Sequence, residues 1–239
     1  KERVRFLEGA KNKGFSLKVA EQVFELIEPF AGYAFNKAHS VSYAMIAYQT
    51  AYLKANYTVE YMTALLLSHS GQQDKVAAAV ADCQRMDIKV LPPDVNRSEA
   101  SFSIEDSEES AIRFGLSDIK NVGAGAVAPI VEARKKGGPF KSIEDFCRRA
   151  DLRGMNKKVM ESLIKAGALD CLAGRGALLN QIDRIMSLSQ REQSLRESGQ
   201  STMFDLFGAA TQTPLPEMKL EEVEVSYRDK LAWEKDLIG

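Results

Sequence analysis

The sequence predicts a mainly α-helical chain with one small β-hairpin and a polar linker, and three observations predict it. Apolar residues recur at helical spacing through most of the first 88 positions. Strict alternation is confined to Phe102 and Ile104, and to Ile112, Phe114 and Leu116, on either side of an acidic turn. After Ser117 short helical stretches alternate with glycine-bearing turns, and from about Ser187 the composition shifts to Gln, Ser, Glu and Arg.

Each element has its local signal. Ser16 is placed to cap a helix in which Val19, Ala20, Val23, Phe24 and Ile27 share a face, and Gly32 ends it. A loop through His39 follows, and Ser40 opens a long helix, rich in Tyr and Ala, to about Ala55. Thr58 is placed to cap Val59 to Ser68, and a further helix covers Asp74 to Met86. Lys89-Val90-Leu91 followed by Pro92-Pro93 ends this helical block. The hairpin spans roughly 96–116, and short helices occupy 117–186. A polar helix and a Thr/Pro-rich linker take 187–216, and 217–239, acidic and then amphipathic, reads as the start of a following domain. The chain opens at Lys1 inside a helical pattern and closes soon after another begins, which is expected of a section of a longer protein.

Composition excludes several functions. With 239 residues, 45% of them hydrophobic, there is enough chain for a core without staples. Cys83, Cys147 and Cys171 are odd in number and lack CxxC spacing, so they read as small core residues in a reducing cytosol. His39 and His69 are too few for a histidine-based metal centre, no apolar run is long enough to span a membrane, and no signal peptide is present. The 32 basic and 33 acidic residues balance, so only local charge informs.

One turn carries chemistry. In Leu116-Ser-Asp-Ile-Lys-Asn-Val-Gly-Ala-Gly-Ala, a short helix ends near Lys120 and a second starts near Gly125. Lys120, Asn121, Val122, Gly123, Ala124 and Gly125 form the turn between them, and Pro129 is expected in the first turn of the second helix. Gly123 is free to take a positive φ and has no side chain to obstruct a ligand. The first N–H groups of the following helix have no partners within it and lie at the positive end of its dipole, a setting that suits a phosphate oxygen. The pattern resembles a helix-hairpin-helix motif, which grips the DNA backbone without reading bases. A second pair follows, with its turn either at 151–155 or at 168–174. From Leu116 to Arg175 twelve basic residues face seven acidic ones, a local net of +5 that would favour a polyanion. The competing reading is a plain helical corner whose glycine only permits the bend.

A second candidate lies upstream. Asn36, Lys37 and His39 precede the Tyr/Ala-rich helix, with Tyr43 one turn into it, so two cationic or protonatable groups sit beside free helix N–H groups. Core packing of the tyrosines is the competing reading. The stretch Phe35-Asn-Lys-Ala-His-Ser-Val-Ser-Tyr-Ala-Met-Ile-Ala-Tyr-Gln-Thr-Ala-Tyr-Leu-Lys-Ala-Asn-Tyr57, with Ala31-Gly-Tyr-Ala-Phe35, Lys89-Val-Leu-Pro-Pro-Asp-Val-Asn96 and Leu163-Ile-Lys-Ala-Gly-Ala-Leu-Asp170, resembles the fingers and following domain of the bacterial DNA polymerase III alpha subunits, the C-family replicative polymerases. The resemblance runs in family order over about residues 1–208. Thr58 departs from it, standing where the family usually has Pro.

The resemblance implies a mainly α fold with a helical fingers subdomain at 1–95, a connecting β-hairpin at 96–116 and a tandem helix-hairpin-helix DNA-binding domain at 117–186. It places Asn36, Lys37, His39 and Tyr43 near the incoming deoxynucleoside triphosphate or the template. It also implies DNA-directed DNA polymerase activity for a longer parent, whose palm carboxylates would hold two Mg2+ ions. Those carboxylates lie outside this chain, so it is expected to bind no metal and to be inactive alone. Expected partners are primer-template DNA, a sliding clamp and other replicase subunits, in the cytoplasm and away from membranes.

Gln200-Ser-Thr-Met203-Phe204-Asp-Leu-Phe207 resembles the bacterial clamp-binding peptide. Gln200 would hydrogen-bond while Met203 and Phe204 fill a pocket. Local packing of these apolar residues is the competing reading. Two alternatives stand beside the replicase: a free-standing helix-hairpin-helix repair module, against which residues 31–57 speak, and a helical scaffold, against which Gly123 and the local charge speak.

Overall fold

Helical periodicity in the first 57 residues produces three helices with little to bury. The computed structural model describes residues 1–31, 37–105, 111–197 and 218–239. The chain divides into two compact units, Lys1–Tyr57 and Thr58–Gly239. In the first, α1 (Glu2–Asn12) and α2 (Leu17–Ala31) pair through Phe6 and Phe24, whose ring centroids lie 5.6 Å apart. Ser16 directly precedes α2, and its carbonyl accepts the Ala20 N–H. Helix α3 (Lys37–Asn56) begins three residues earlier than Ser40, so Lys37 and His39 lie within its first turn rather than in a loop before it. Its Tyr43, Tyr48 and Tyr52 are exposed, which sets aside core packing within this unit.

The second unit holds the core. Helices α4 (Thr58–Ser68) and α5 (Gln73–Arg85) pack through Met62, Leu66, Val76, Ala79 and Cys83. Three short strands follow: β1 (Lys89–Leu91), β2 (Ser103–Glu105) and β3 (Ala111–Arg113). The antiparallel β2–β3 pair is the expected hairpin, with Ile104 opposite Ile112. A third strand joins it: β1 lies parallel to β3 on the other side, pairing Val90 with Ile112. Three residues followed by two prolines give no period to read, and their partner is some twenty positions away, so only tertiary structure makes β1 a strand.

Beyond a 3-10 turn (Leu116–Asp118) come α6 (Ala124–Gly137), α7 (Ile143–Arg149), α8 (Lys157–Lys165), α9 (Arg175–Asn180) and α10 (Ile182–Glu197). Pro129 is the sixth residue of α6, not in its first turn, so the helix loses the N–H that would reach the Gly125 carbonyl. Val127, Ile130, Phe146, Met160, Leu163 and Ile164 are buried together. The segment between β1 and β2 floors the hairpins. The Val95 N–H donates to the Ala168 carbonyl at 2.9 Å, and the Asn96 amide exchanges two hydrogen bonds with the backbone of Phe140, at 2.7 and 2.9 Å.

Residues 218–239 pack on this same unit. Met218 and Leu237 enter the core, and the helix α11 (Tyr227–Leu237) lies against α8. Cys83 and Cys147 are core residues as expected, and burial pushes the Cys147 thiol up to about 12. Cys171 is instead exposed at its surface, although partial burial and the neighbouring Asp94 also push its thiol up to about 12. No helix among the described residues is long and apolar enough to cross a membrane.

Candidate nucleic-acid interface

The first hairpin is held from below and left open above. Val122 is 5% exposed and anchors the turn in the core, and its N–H donates to the Ile119 carbonyl at 3.0 Å. The residue in the left-handed region is Asn121, with φ 68°, and not Gly123, which is extended at φ −93° and ψ 158°. Asparagine tolerates that region better than other side-chain-bearing residues. Its amide also donates to the Ser162 hydroxyl on α8, at 3.3 Å, which fixes the turn on the neighbouring helix. Asn121 and Val122 therefore build the turn, while Gly123, Ala124 and Gly125 face outward.

Gly123 is the N-cap of α6 and offers no side-chain acceptor to the first turn. By contrast, Ser142 caps α7 through the Asp145 N–H at 3.2 Å, and Asn156 caps α8 through the Val159 N–H at 2.9 Å. A Cβ added at Gly123 or Gly125 would meet nothing within 4 Å. Neither the backbone conformation nor the packing demands glycine at these two positions. What glycine does there is keep the space in front of the helix N–H groups clear.

Asp118 seats the entry to this hairpin. Its carboxylate accepts from the Phe102 N–H at 3.0 Å and from the Ser70 hydroxyl. Burial pushes its carboxyl above the usual range, and those two hydrogen bonds pull part of the way back.

The charge around the hairpins is not what a linear count suggests. Of the twelve basic residues between Leu116 and Arg175, ten are paired with carboxylates. Five of the partners come from outside that stretch: Glu99, Asp183, Glu192, Glu234 and Asp236. They equal the local excess of +5 in number. Arg134 is 8% exposed and donates to the Val95 and Ser98 carbonyls at 3.1 and 2.6 Å, so it is a core strut. Arg175 is likewise enclosed by Asp170, Glu234 and the Lys165 carbonyl. Among the described residues only the Lys141 and Lys158 ammonium groups of the twelve side chains have no carboxylate partner. Window counting missed the cancelling carboxylates because folding, not sequence spacing, brings them in.

Both candidate turns for a second hairpin exist as helix connections. The 150–156 turn buries Leu152 and Met155 and leads to the capped α8. The 166–174 turn leads to α9, whose N-cap Gly174, like Gly123, contributes no side-chain bond.

Of the upstream candidates, His39 and Tyr43 are exposed, with ring centroids 4.2 Å apart across one turn of α3. Lys37 is the first residue of that helix, and Asn36 lies outside the described residues. Gln200, Met203 and Phe204 lie outside them too.

Comparison with known proteins fits this geometry. A family model described as a helix-hairpin-helix motif matches residues 87–178, a range that starts just before β1 and ends within α9. The chain is 42% identical over 240 residues to the DNA polymerase III subunit alpha of Thermus aquaticus, covering 100% of this chain and 19% of that protein. It is 41% identical over 234 residues to the subunit of the same name from Vibrio cholerae, covering 98% of this chain and 19% of the relative. Against that of Escherichia coli K12 the identity is 38% over 239 residues, with 100% and 20% covered. The chain thus spans about a fifth of the length of the curated relatives it matches. Over its whole length the chain is homologous to DNA polymerase III subunit alpha, and it carries within that length a helix-hairpin-helix motif.

Proposed function

We propose that Thr58–Gly239 grips duplex DNA by its backbone and that the open N-terminus of α6 is the principal contact. The observation that carries this is the pair of outward glycines, Gly123 and Gly125, which nothing inside the described fold requires. A phosphate oxygen placed there meets unpartnered N–H groups and the positive end of a 14-residue helix. Because most nearby cations already have carboxylate partners, the grip rests more on backbone N–H groups than on a basic patch. The glycine N-cap of α9 favours 168–174 over 151–155 as the second hairpin turn.

In the longer protein that the relatives suggest, this grip would serve DNA-directed DNA synthesis. Residues 1–95 would be the later part of the fingers, 96–116 the connector, 117–186 the DNA-holding domain and 187–216 the clamp-attachment region, with 217–239 leading into the next domain. Asn36, Lys37, His39 and Tyr43 would face the incoming nucleotide or template. Gln200, Met203 and Phe204 would anchor the sliding clamp and raise the enzyme's effective concentration on DNA. Chemistry at Mg2+ would belong to carboxylates elsewhere in that protein, as would contacts with other replicase subunits, all in the cytoplasm. Similarity over residues ahead of the hairpins supports this reading over a free-standing repair module, since the relatives align with the whole chain.

The test is a titration of the 239-residue chain against fluorescent primer-template duplex at several salt concentrations. Sequence-independent binding whose logarithm falls linearly with the logarithm of salt is expected. No binding at low salt would sink the grip. Clamp attachment is tested separately, by pull-down with Met203 and Phe204 both changed to Ala; a complex that persists would place the anchor elsewhere.

A further inference from the structure

The last turn of α11 carries a carboxylate where a helix least favours one. Asp236 is the penultimate residue of α11, beside the negative end of the helix dipole. Its side chain is 67% exposed, so burial does not explain it. Its position is nevertheless fixed through the backbone. The Lys120 N–H donates to the Leu237 carbonyl at 3.0 Å, and the Gln73 amide donates to the Asp236 and Leu237 carbonyls at 3.3 Å each. Leu237 itself is 4% exposed and inserted in the core. Further along α11, Glu234 pairs with Arg175 at 2.7 Å, and Trp233 lies 5.4 Å from the Lys165 ammonium. The end of α11 is thus pinned against the first hairpin, with the Asp236 carboxylate 2.7 Å from the Lys120 ammonium.

We propose that Asp236 is a built-in competitor for the DNA phosphate at Lys120, setting how tightly the first hairpin holds duplex. The inference rests on the reading of that hairpin as a DNA grip. Lys120 is 45% exposed and stands three residues before Gly123, the N-cap of α6. An ion pair this exposed is weak and exchangeable, so a phosphate can replace the carboxylate. The exchange leaves the Lys120 backbone fixed to α11 while its ammonium changes partner. This competition moderates affinity, which suits a grip that must slide along the duplex rather than hold one site.

The test uses the full chain and primer-template duplex across a salt series. Asp236→Asn should tighten binding about threefold to fivefold at low salt and steepen the salt dependence by up to about 0.9 in logarithmic slope, the contribution of one more neutralised phosphate. In a Lys120→Gln background the same change should have no effect. Thermal unfolding should be unaltered, since the substitution removes an acid from an unfavourable helix position. Tightening that persists without Lys120 would be a general charge effect and would overturn the proposal. Unchanged affinity in Asp236→Asn, while Gly123→Asp still weakens binding, would overturn it and leave the grip standing. Absence of duplex binding by every variant and by the parent chain would remove the grip and the proposal together.

Discussion

Helices α6 and α9 open on nearly the same four residues, Gly123-Ala-Gly-Ala126 and Gly174-Arg-Gly-Ala177, yet the fold treats them differently. At α9 the N-cap Gly174 is as open as Gly123, but the chain closes over the glycine two residues on. A Cβ at Gly176 would strike the Val223 carbonyl and the Val225 side chain, so glycine there admits a passing segment of the same protein. Over α6 nothing comes near: Gly123 and Gly125 both face open space. The same local sequence is explained internally in one place and not in the other. A residue type with no internal cause points to something that approaches from outside.

Substitutions at these helix ends test the contrast. The largest effect is expected at Gly176→Val, which forces the 223–225 segment away and should cost about 1–3 kcal/mol in a denaturant melt. An unchanged midpoint would mean that the segment yields freely and that the two helix ends are alike after all. Next is Gly123→Asp, which gives α6 the side-chain cap that α7 and α8 already possess. Stability should hold or rise by a few tenths of a kcal/mol, while duplex affinity drops at least about tenfold, because the carboxylate takes the N–H groups and repels phosphate. Asn156→Ala makes the reverse change on α8; it should lower stability by about 1 kcal/mol and leave duplex affinity unmoved. Loss of binding there would shift the contact to α8. The smallest effect is Gly125→Ala, expected to stabilise by about 0.4–1 kcal/mol through reduced freedom of the unfolded chain, as its φ is an ordinary one. A destabilised Gly125→Ala protein would mean that the site is less open than it looks.

What could be read from sequence follows the range of the forces involved. Helices were legible because their pattern is local: α4 and α5 lie within a residue or so of the positions that capping and periodicity assign. The turn around Gly123 was legible as a turn, but its mechanics were not. Gly123 draws attention as the permissive residue, whereas Asn121 takes the positive φ and Val122 provides the anchor. Strand β1 escaped because its partner, β3, is remote in sequence. The charge around the hairpins was hidden for the same reason, since Glu99, Asp183, Glu192, Glu234 and Asp236 reach them only through folding.

The floor beneath the hairpins has a bearing on transplantation. Val95 reaches across to Ala168 and Asn96 to Phe140, while β1 completes the sheet from which the first hairpin departs. A graft that starts at the first hairpin helix would leave the Phe140 N–H and the Ala168 carbonyl stranded and Arg134 without the Val95 and Ser98 carbonyls. The portable cassette therefore begins at or before Lys89, and an engineer moving this grip to another enzyme would need to carry the sheet along with it.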